Sequence, residues 1–393
     1  MYLGKLLQTK ANITPKTVLF YRMVPHYRRA LYERLHEKIG LQVIAPDHDA
    51  GHEDGLSIVE SAPWLQRHPF RASLLRHPSA PVGKVLRDLR PQMAIVEAGL
   101  NNPAMWALLG HRRRHGWPRI LLWGHGWQMG RGFSTPGDWL SQYGRLAPFA
   151  LADGYLAYTE EGAEYIRRHL PSLPTFAVGN SLDCKVDEAR VATSIAATEL
   201  ATRPLTLIAV GRLTPDKRMP DLIKMLTVLR RQVPDARLIL IGDGPDYARC
   251  QKLAAKLPEN AVHMPGAVYG SKHLAGLYAQ ADIACYAGAV GLAVNEALAH
   301  GLPFLTLDDG HGKPPFHHPE IAFIRDGETG IRIPKNGTNG LAPMVQAIVS
   351  LQENRKHLSD IRRSARRFYL DHLTIDQMVE RFAEAVIVIG SQP

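Results

Sequence analysis

The segment Tyr286-Ala-Gly-Ala-Val-Gly-Leu-Ala-Val-Asn-Glu-Ala-Leu-Ala-His-Gly-Leu-Pro303 reads as a strand end, a loop holding Gly288 and Gly291, and then a helix. Exposed N–H groups at such a helix start offer a place for a diphosphate. Glu296 falls roughly one turn farther in, where a carboxylate can accept both hydroxyls of a ribose. The plainer reading is an ordinary βαβ crossover with Glu296 on a solvated face. The spacing of Gly291, Glu296, Gly301 and Pro303 argues for the first.

Working outward, the same alternation of short apolar runs and helical spacing recurs on both sides. Leu205–Val210, Arg237–Ile241, Val262–Met264, Asp282–Tyr286 and Pro303–Leu307 read as strands. Between them, Met219, Leu222, Ile223, Leu226 and Leu229 have helical spacing, and Asp246–Leu257, Lys272–Gln280 and Leu292–His300 read as helices. Thr374 and Gln377 have capping-box spacing and open a helix running to Val388.

In the amino-terminal half, Val18–Tyr21, Leu41–Ala45, Met93–Val96, Ile120–Trp123 and Tyr155–Tyr158 read as strands, and Tyr27–Lys38 as a helix. Strands separated by helical stretches imply parallel βαβ units. Lys185–Pro204 is polar and rich in small residues, a linker between two units. All six tryptophans precede residue 140, so the two units are differently built. Doubly wound sheets bind ligands at the carboxyl ends of their strands, and two facing units would leave a cleft between them.

Composition bounds the function. The 393 residues are 45% hydrophobic and 21% charged, a globular mixture rather than a disordered one. No apolar run reaches the ~18 residues of a membrane helix, and the start of the chain lacks the apolar block of a secretory signal. Cys184, Cys250 and Cys285 are far apart, which speaks against a disulfide framework or a cysteine metal site and for the cytosol. Net charge is +10, with 24 basic and 17 acidic residues in 1–190. A basic half suits an anionic membrane face or a phosphorylated substrate; no nucleic-acid-binding motif accompanies it.

Within the second half, Val210-Gly-Arg-Leu-Thr-Pro-Asp-Lys217 follows a strand. Gly211 turns the backbone, Arg212 can grip phosphate with two parallel bonds, and Lys217 adds a compact charge. A solvated loop is the equal alternative. Ile241-Gly-Asp-Gly-Pro245 reads as a tight turn with no phosphate contact of its own.

GRLTPDK, IGDGPD, GLAVNEALAHGLP and PEIAFIRDGETG occur in the order seen in retaining GT-B glycosyltransferases, and the chain resembles the group 1 enzymes that build bacterial surface polysaccharides. The likeness is close over about residues 205–335 and loose before them. It implies an α/β GT-B fold, two facing Rossmann-like domains with a cleft between them. The expected divisions are 1–185 for the acceptor, 186–372 for the donor, and a last helix at 373–393 returning to the first domain.

The resemblance also assigns roles. Arg212 and Lys217 would neutralise the donor diphosphate beside Gly211, Glu296 would hold the ribose, and Gly266-Ala-Val268-Tyr269 would read the base through its backbone. Glu320 falls at the family's Pro-Glu, near the donor sugar. The first glutamate of the family's pair is absent: Gly288 stands there, and backbone N–H groups from Gly288 through Gly291 to Leu292 are expected to take over. The family's amino-terminal Gly-Gly loop is replaced by Tyr21-Arg-Met-Val-Pro-His-Tyr-Arg28, expected to face the acceptor.

In Leu121-Leu-Trp-Gly-His125-Gly-Trp127, His125 is expected to bond the donor sugar or the developing phosphate charge; a structural histidine is the alternative. His111-Arg-Arg-Arg-His115 reads first as a solvated helix end, and second as a contact for anionic lipid or a lipid-linked acceptor. Asp47-His-Asp49 is a loop rather than a metal-binding DxD. The expectation is therefore a cytoplasmic, metal-independent transferase with a nucleotide-sugar donor and a glycan or lipid-linked acceptor. Peripheral contact at the inner membrane face is allowed for, and no cofactor is expected. An inactive nucleotide-sugar-binding protein, or a sugar-nucleotide epimerase, are the alternatives.

Overall fold

A computed structural model describes residues 16–47, 58–69, 81–127, 135–186, 188, 191, 194, 203–268, 271–310, 316–335 and 340–392. The chain forms two compact units. One comprises Met1–Trp127, Ser141–Gly179 and Met378–Pro393; the other comprises Gln128–Leu140 and Asn180–Gln377.

The first unit is built on seven parallel strands: β1 (Thr17–Phe20), β2 (Gln42–Pro46), β3 (Leu65–His68), β4 (Met93–Glu97), β5 (Arg119–Gly124), β6 (Gly154–Ala157) and β7 (Thr175–Ala177). Their order is β3-β2-β1-β4-β5-β6-β7. Every residue of β1 is buried, as expected of a parallel strand covered on both faces. The two edge strands, β3 and β7, were not anticipated. LQRH and TFA are short and only half-buried, so they carry no continuous apolar signal.

The helix Pro103–His115 shows how local chemistry sets the boundaries here. The Asn102 side chain accepts from the Ala104 N–H at 3.0 Å, Pro103 occupies the first turn, and Gly116 closes the end with φ +75°. Of the basic run at its end, Arg112 is clamped to Asp153 by two bonds of 2.8 and 3.1 Å. Arg113, Arg114 and His115 are exposed.

The second unit repeats the plan with β8 (Thr206–Val210), β9 (Arg237–Ile241), β10 (Val262–Gly266), β11 (Ile283–Tyr286), β12 (Phe304–Leu307) and β13 (Gly330–Ile333). All pair in parallel, in the order β10-β9-β8-β11-β12-β13. Counted within each unit, both sheets thus begin 3-2-1-4-5-6, the doubly wound order. Strand β13 was not anticipated either.

At the amino ends of these strands sits a buried ion cluster. Asp282 has no exposed surface; it takes the Thr206 N–H at 2.8 Å and faces Arg203 at 2.6 Å and Arg362 at 3.4 Å. Burial raises the Asp282 pKa while the arginines oppose the shift. This cluster ties β8 to β11 at the end of the sheet away from the loops described next.

The last helix, Ile375–Gly390, opens with the anticipated capping box. The Thr374 N–H donates to Gln377 Oε1 at 3.0 Å, and the Gln377 N–H to Thr374 Oγ1 at 3.3 Å. From Met378 onward its residues belong to the first unit, where Phe382 meets the Trp123 ring edge-on at 5.3 Å.

Candidate functional site

In the second unit, the loops at the carboxyl ends of β8 and β11 are laid directly on each other. The Ala289 N–H donates to the Asp216 carbonyl at 2.9 Å, and Lys217 Nζ donates to the Ala289 carbonyl at 2.8 Å. The Tyr286 hydroxyl also donates to the Val210 carbonyl. Gly288 is what permits this approach. A Cβ there would lie 2.2 Å from the Asp216 carbonyl oxygen and 2.4 Å from the Lys217 carbonyl carbon. The position has no room for a glutamate while the β8 loop keeps this course.

The side chain of Lys217 is 17% exposed, 3.6 Å from the Asp216 carboxylate. Burial lowers its pKa, with Arg212 acting in the same direction and Asp216 and Glu320 against it. Arg212 itself is exposed at the start of the same loop. Two cations therefore stand together at the strand ends, Lys217 largely buried and Arg212 exposed. Leu213 anchors the loop from below, its N–H donating to the Asp243 carbonyl at 2.8 Å and its carbonyl accepting from Asp246. The GDG turn is thus a brace for the Arg212 loop.

The short helix Ala293–Ala299 carries Glu296. Burial pushes its carboxyl up to about 7, with a weak bond from the Tyr278 hydroxyl at 3.5 Å opposing the shift. Tyr278 is itself stacked on His300, ring centroids 4.6 Å apart. Nothing cationic pairs with Glu296 among the described residues, so its preferred partners are neutral hydrogen-bond donors such as hydroxyls.

Of the five N–H groups expected to serve a ligand, two are already committed. Ala289 serves Asp216, and Val290 donates to His317 Nδ1 at 3.2 Å. His317 Nε2 lies 2.8 Å from the Leu307 carbonyl, which fixes the tautomer as Nε2–H. Gly291 and Leu292 lead straight into the helix.

Glu320 is 2% exposed. It accepts from the Asn180 side chain, and the Asn180 carbonyl accepts from Asn295 Nδ2 at 2.8 Å. So enclosed, Glu320 lies under the Lys217 loop as a support rather than at an open face. Val268 is half-buried against the core of the unit, and the Gly266 carbonyl accepts from the Gly242 N–H at 2.9 Å. Tyr269 lies outside the described residues.

In the first unit, His125 follows β5 with its ring 4.8 Å from that of Tyr158. Gly126 beside it has φ +91°, and a Cβ there would lie 2.6 Å from the Gly162 carbonyl oxygen. The Tyr155 hydroxyl and the Gly126 N–H are 3.0 Å apart. These contacts set where His125 stands at the carboxyl end of its strand. At the ends of β1 and β4, Arg22 lies 3.5 Å from Glu97. Arg28, at the end of the stretch expected to face the acceptor, is enclosed. It is 3% exposed, its guanidinium 5.5 Å from the centre of the Trp123 ring and flanked by Tyr27 at 5.4 Å. A guanidinium enclosed by aromatic faces supports the fold of this corner.

Asp47 follows β2, while His48 and Asp49 lie outside the described residues. Among the described residues, no three His, Cys, Asp or Glu side chains gather as metal ligands, and no helix is long and apolar enough to cross a membrane.

Sequence reasoning passed over three participants. Asn180 gave no motif signal, and His317 lies two residues before the Pro319-Glu320 pair without being part of it. Tyr278 sits in a helix whose apolar spacing marks it as core.

The chain is similar to known glycosyltransferases. Residues 192–367 match the family described as Glycosyl transferases group 1. Alpha-monoglucosyldiacylglycerol synthase of Acholeplasma laidlawii is 29% identical over 163 residues, covering 40% of this chain and 37% of that protein. This chain therefore spans little more than a third of that relative's length. A GDP-mannose-dependent alpha-(1-6)-phosphatidylinositol monomannoside mannosyltransferase of Mycolicibacterium smegmatis is 28% identical over 327 residues, 76% of this chain and 77% of that one. Among solved structures, Anabaena HepE in complex with UDP superposes with a TM-score of 0.64 at 15% identity, covering 94% of this chain and 98% of that one. The two parallel-sheet units are of the GT-B kind.

Proposed function

We propose, from the premise that residues 192–367 belong to the glycosyl transferases group 1, that this chain moves a sugar from a nucleotide-sugar donor to a glycan or lipid-linked acceptor, with retention of configuration, in surface polysaccharide biosynthesis. The observation that carries the reading is the β8 loop, with Arg212 and Lys217, laid on the β11 loop that leads into the helix carrying Glu296. Cations suit a diphosphate, and a buried carboxyl without a cationic partner suits a diol. The relatives include a glucosyl- and a mannosyltransferase acting on lipids, which supports a lipid-linked acceptor here.

In this mechanism the donor diphosphate lies against Arg212 and Lys217, and the ribose hydroxyls donate to Glu296. As the glycosyl bond breaks, the two cations stabilise charge gathering on the leaving phosphate. Of the two positions that the resemblance sets beside the sugar, 288 is glycine and Glu320 is enclosed with Asn180. The acceptor hydroxyl attacks from the same face, and the leaving phosphate takes its proton. Metal is not required, because the cations of the protein carry the charge.

The test is incubation with UDP-glucose, UDP-N-acetylglucosamine and GDP-mannose plus lipid-linked glycan acceptors, following nucleoside diphosphate release and the anomeric configuration of the product by NMR. Transfer with retention supports the reading; release with inversion, or no transfer with any pair, refutes it. The blocked position 288 favours one second reading, a nucleotide-sugar-binding protein without transfer. Tight donor binding with no product over the same panel would select it.

A further inference from the structure

The side chain of His318 is exposed, and its ring nitrogens make no hydrogen bond or ion pair among the described residues. One flank of the ring packs on the β11 loop: a Cβ on Gly291 would stand 3.6 Å from His318 Cδ2. Its backbone N–H donates to the Val290 carbonyl at 3.2 Å, and Pro319 follows directly, so the ring has a fixed base. Partial burial and the Lys217 ammonium beside it lower the imidazole pKa, to about 4, with Asp216 opposing. At neutral pH it therefore offers one donor and one acceptor, not a charge.

The neighbouring His317 is different, since both its nitrogens are spent on Val290 and Leu307. His317 builds the loop; His318 presents an unused polar edge beside it. The same loop carries Gly288, where the β8 backbone already fills the space a longer side chain would take. A polar contact to a ligand at this end of the site cannot come from position 288, and the exposed imidazole stands against Gly291 of the same loop.

We infer that His318 is a specificity-determining residue of this site, bonding through its neutral imidazole to a hydroxyl of the sugar carried by the donor rather than to the diphosphate. This rests on the proposed donor-binding role of the same loops. A neutral ring selects differently from a carboxylate: it accepts from one hydroxyl and donates to another oxygen, and it adds no repulsion toward the adjacent phosphates.

Calorimetric titration of the full chain with UDP-glucose, UDP, GDP-mannose and GDP, repeated with His318→Ala and His318→Gln, tests this. Wild-type protein should bind a sugar nucleotide more tightly than its bare diphosphate. In His318→Ala that advantage should shrink by about tenfold, the usual effect of one such bond, while the Kd of the diphosphate stays within about twofold. Glutamine, with a donor and an acceptor, should recover part of the advantage. Equal losses on both ligands would make the ring a phosphate contact and overturn the inference, as would an unchanged ratio. If wild-type protein binds none of the four, the donor-binding reading falls and takes the inference with it. A wild-type ratio that His318→Ala leaves unmoved defeats the inference alone.

Discussion

Replacing Glu296 by glutamine should stabilise the ligand-free protein at alkaline pH while weakening its hold on a nucleotide. The carboxyl is raised from 4.5 to about 7, first of all by burial. The folded chain therefore keeps a proton that the unfolded chain has already released between those values. Stability contributed by this group is greatest below the unfolded pKa and is lost as pH rises toward the folded one. The full cost above pH 7 is about 3 kcal/mol, from 2.5 pK units at 1.36 kcal/mol each. At about pH 5.5 only about one unit has been expressed, or ~1.4 kcal/mol. His300, lowered by burial from 6.5 to about 4, adds a slope of its own up to about pH 6.5, but both proteins carry it, so it cancels in the comparison; Cys184, raised to about 12, acts only above the window. Glutamine has no such slope, so the stability advantage of Glu296→Gln should grow by roughly 2 kcal/mol between about pH 5.5 and about pH 8. Urea denaturation of both proteins at the two pH values measures it. A difference that is flat with pH would refute the reasoning, because the carboxyl would then be ionised in both states throughout.

Other perturbations have equally definite outcomes. Lys217→Met should cost about 1–3 kcal/mol of stability, because the buried Ala289 carbonyl loses its donor, and the folded variant should bind nucleoside diphosphate at least about tenfold more weakly; salt titration should show a shallower dependence than wild type. Gly288→Ala should cost about 1–3 kcal/mol of stability by overpacking and weaken every nucleotide alike, because the Asp216 carbonyl must move; thermal unfolding and titration check both. Asp282→Ala should cost about 3–5 kcal/mol by leaving buried arginines without their carboxylate, with nucleotide affinity unchanged at temperatures where the variant is folded. Thr374→Ala should remove about 1 kcal/mol through the lost cap, read by denaturation.

The sequence carried the second unit well because its signals are dense. β8, β9, β11 and β12 are continuous apolar runs ended by glycine or small residues, and four motifs lie in order along them. The capping box at Thr374 was legible because two side chains three residues apart satisfy each other. What escaped had no local signature. β3, β7 and β13 are held by their neighbours in the sheet rather than by their own composition. The enclosed state of Arg28 depends on Trp123, remote in sequence, so a basic stretch looked like a surface. Gly288 was visible as a departure from the family pattern, but its cause, a carbonyl of the β8 loop 2.2 Å from the vacant Cβ position, belongs to tertiary structure. Asn180 entered through a bond to Glu320 that spans 140 residues.

The central claim is that the adjoining β8 and β11 loops of the second unit bind the diphosphate and ribose of a nucleotide. It is tested most directly by calorimetric titration of UDP and GDP into wild-type protein, Arg212→Ala, Lys217→Met and Glu296→Gln at neutral pH. The account predicts saturable binding of at least one nucleotide by wild type and a loss of at least about tenfold in each variant. Wild-type protein that binds neither nucleotide, or variants that bind as tightly as wild type, would contradict it.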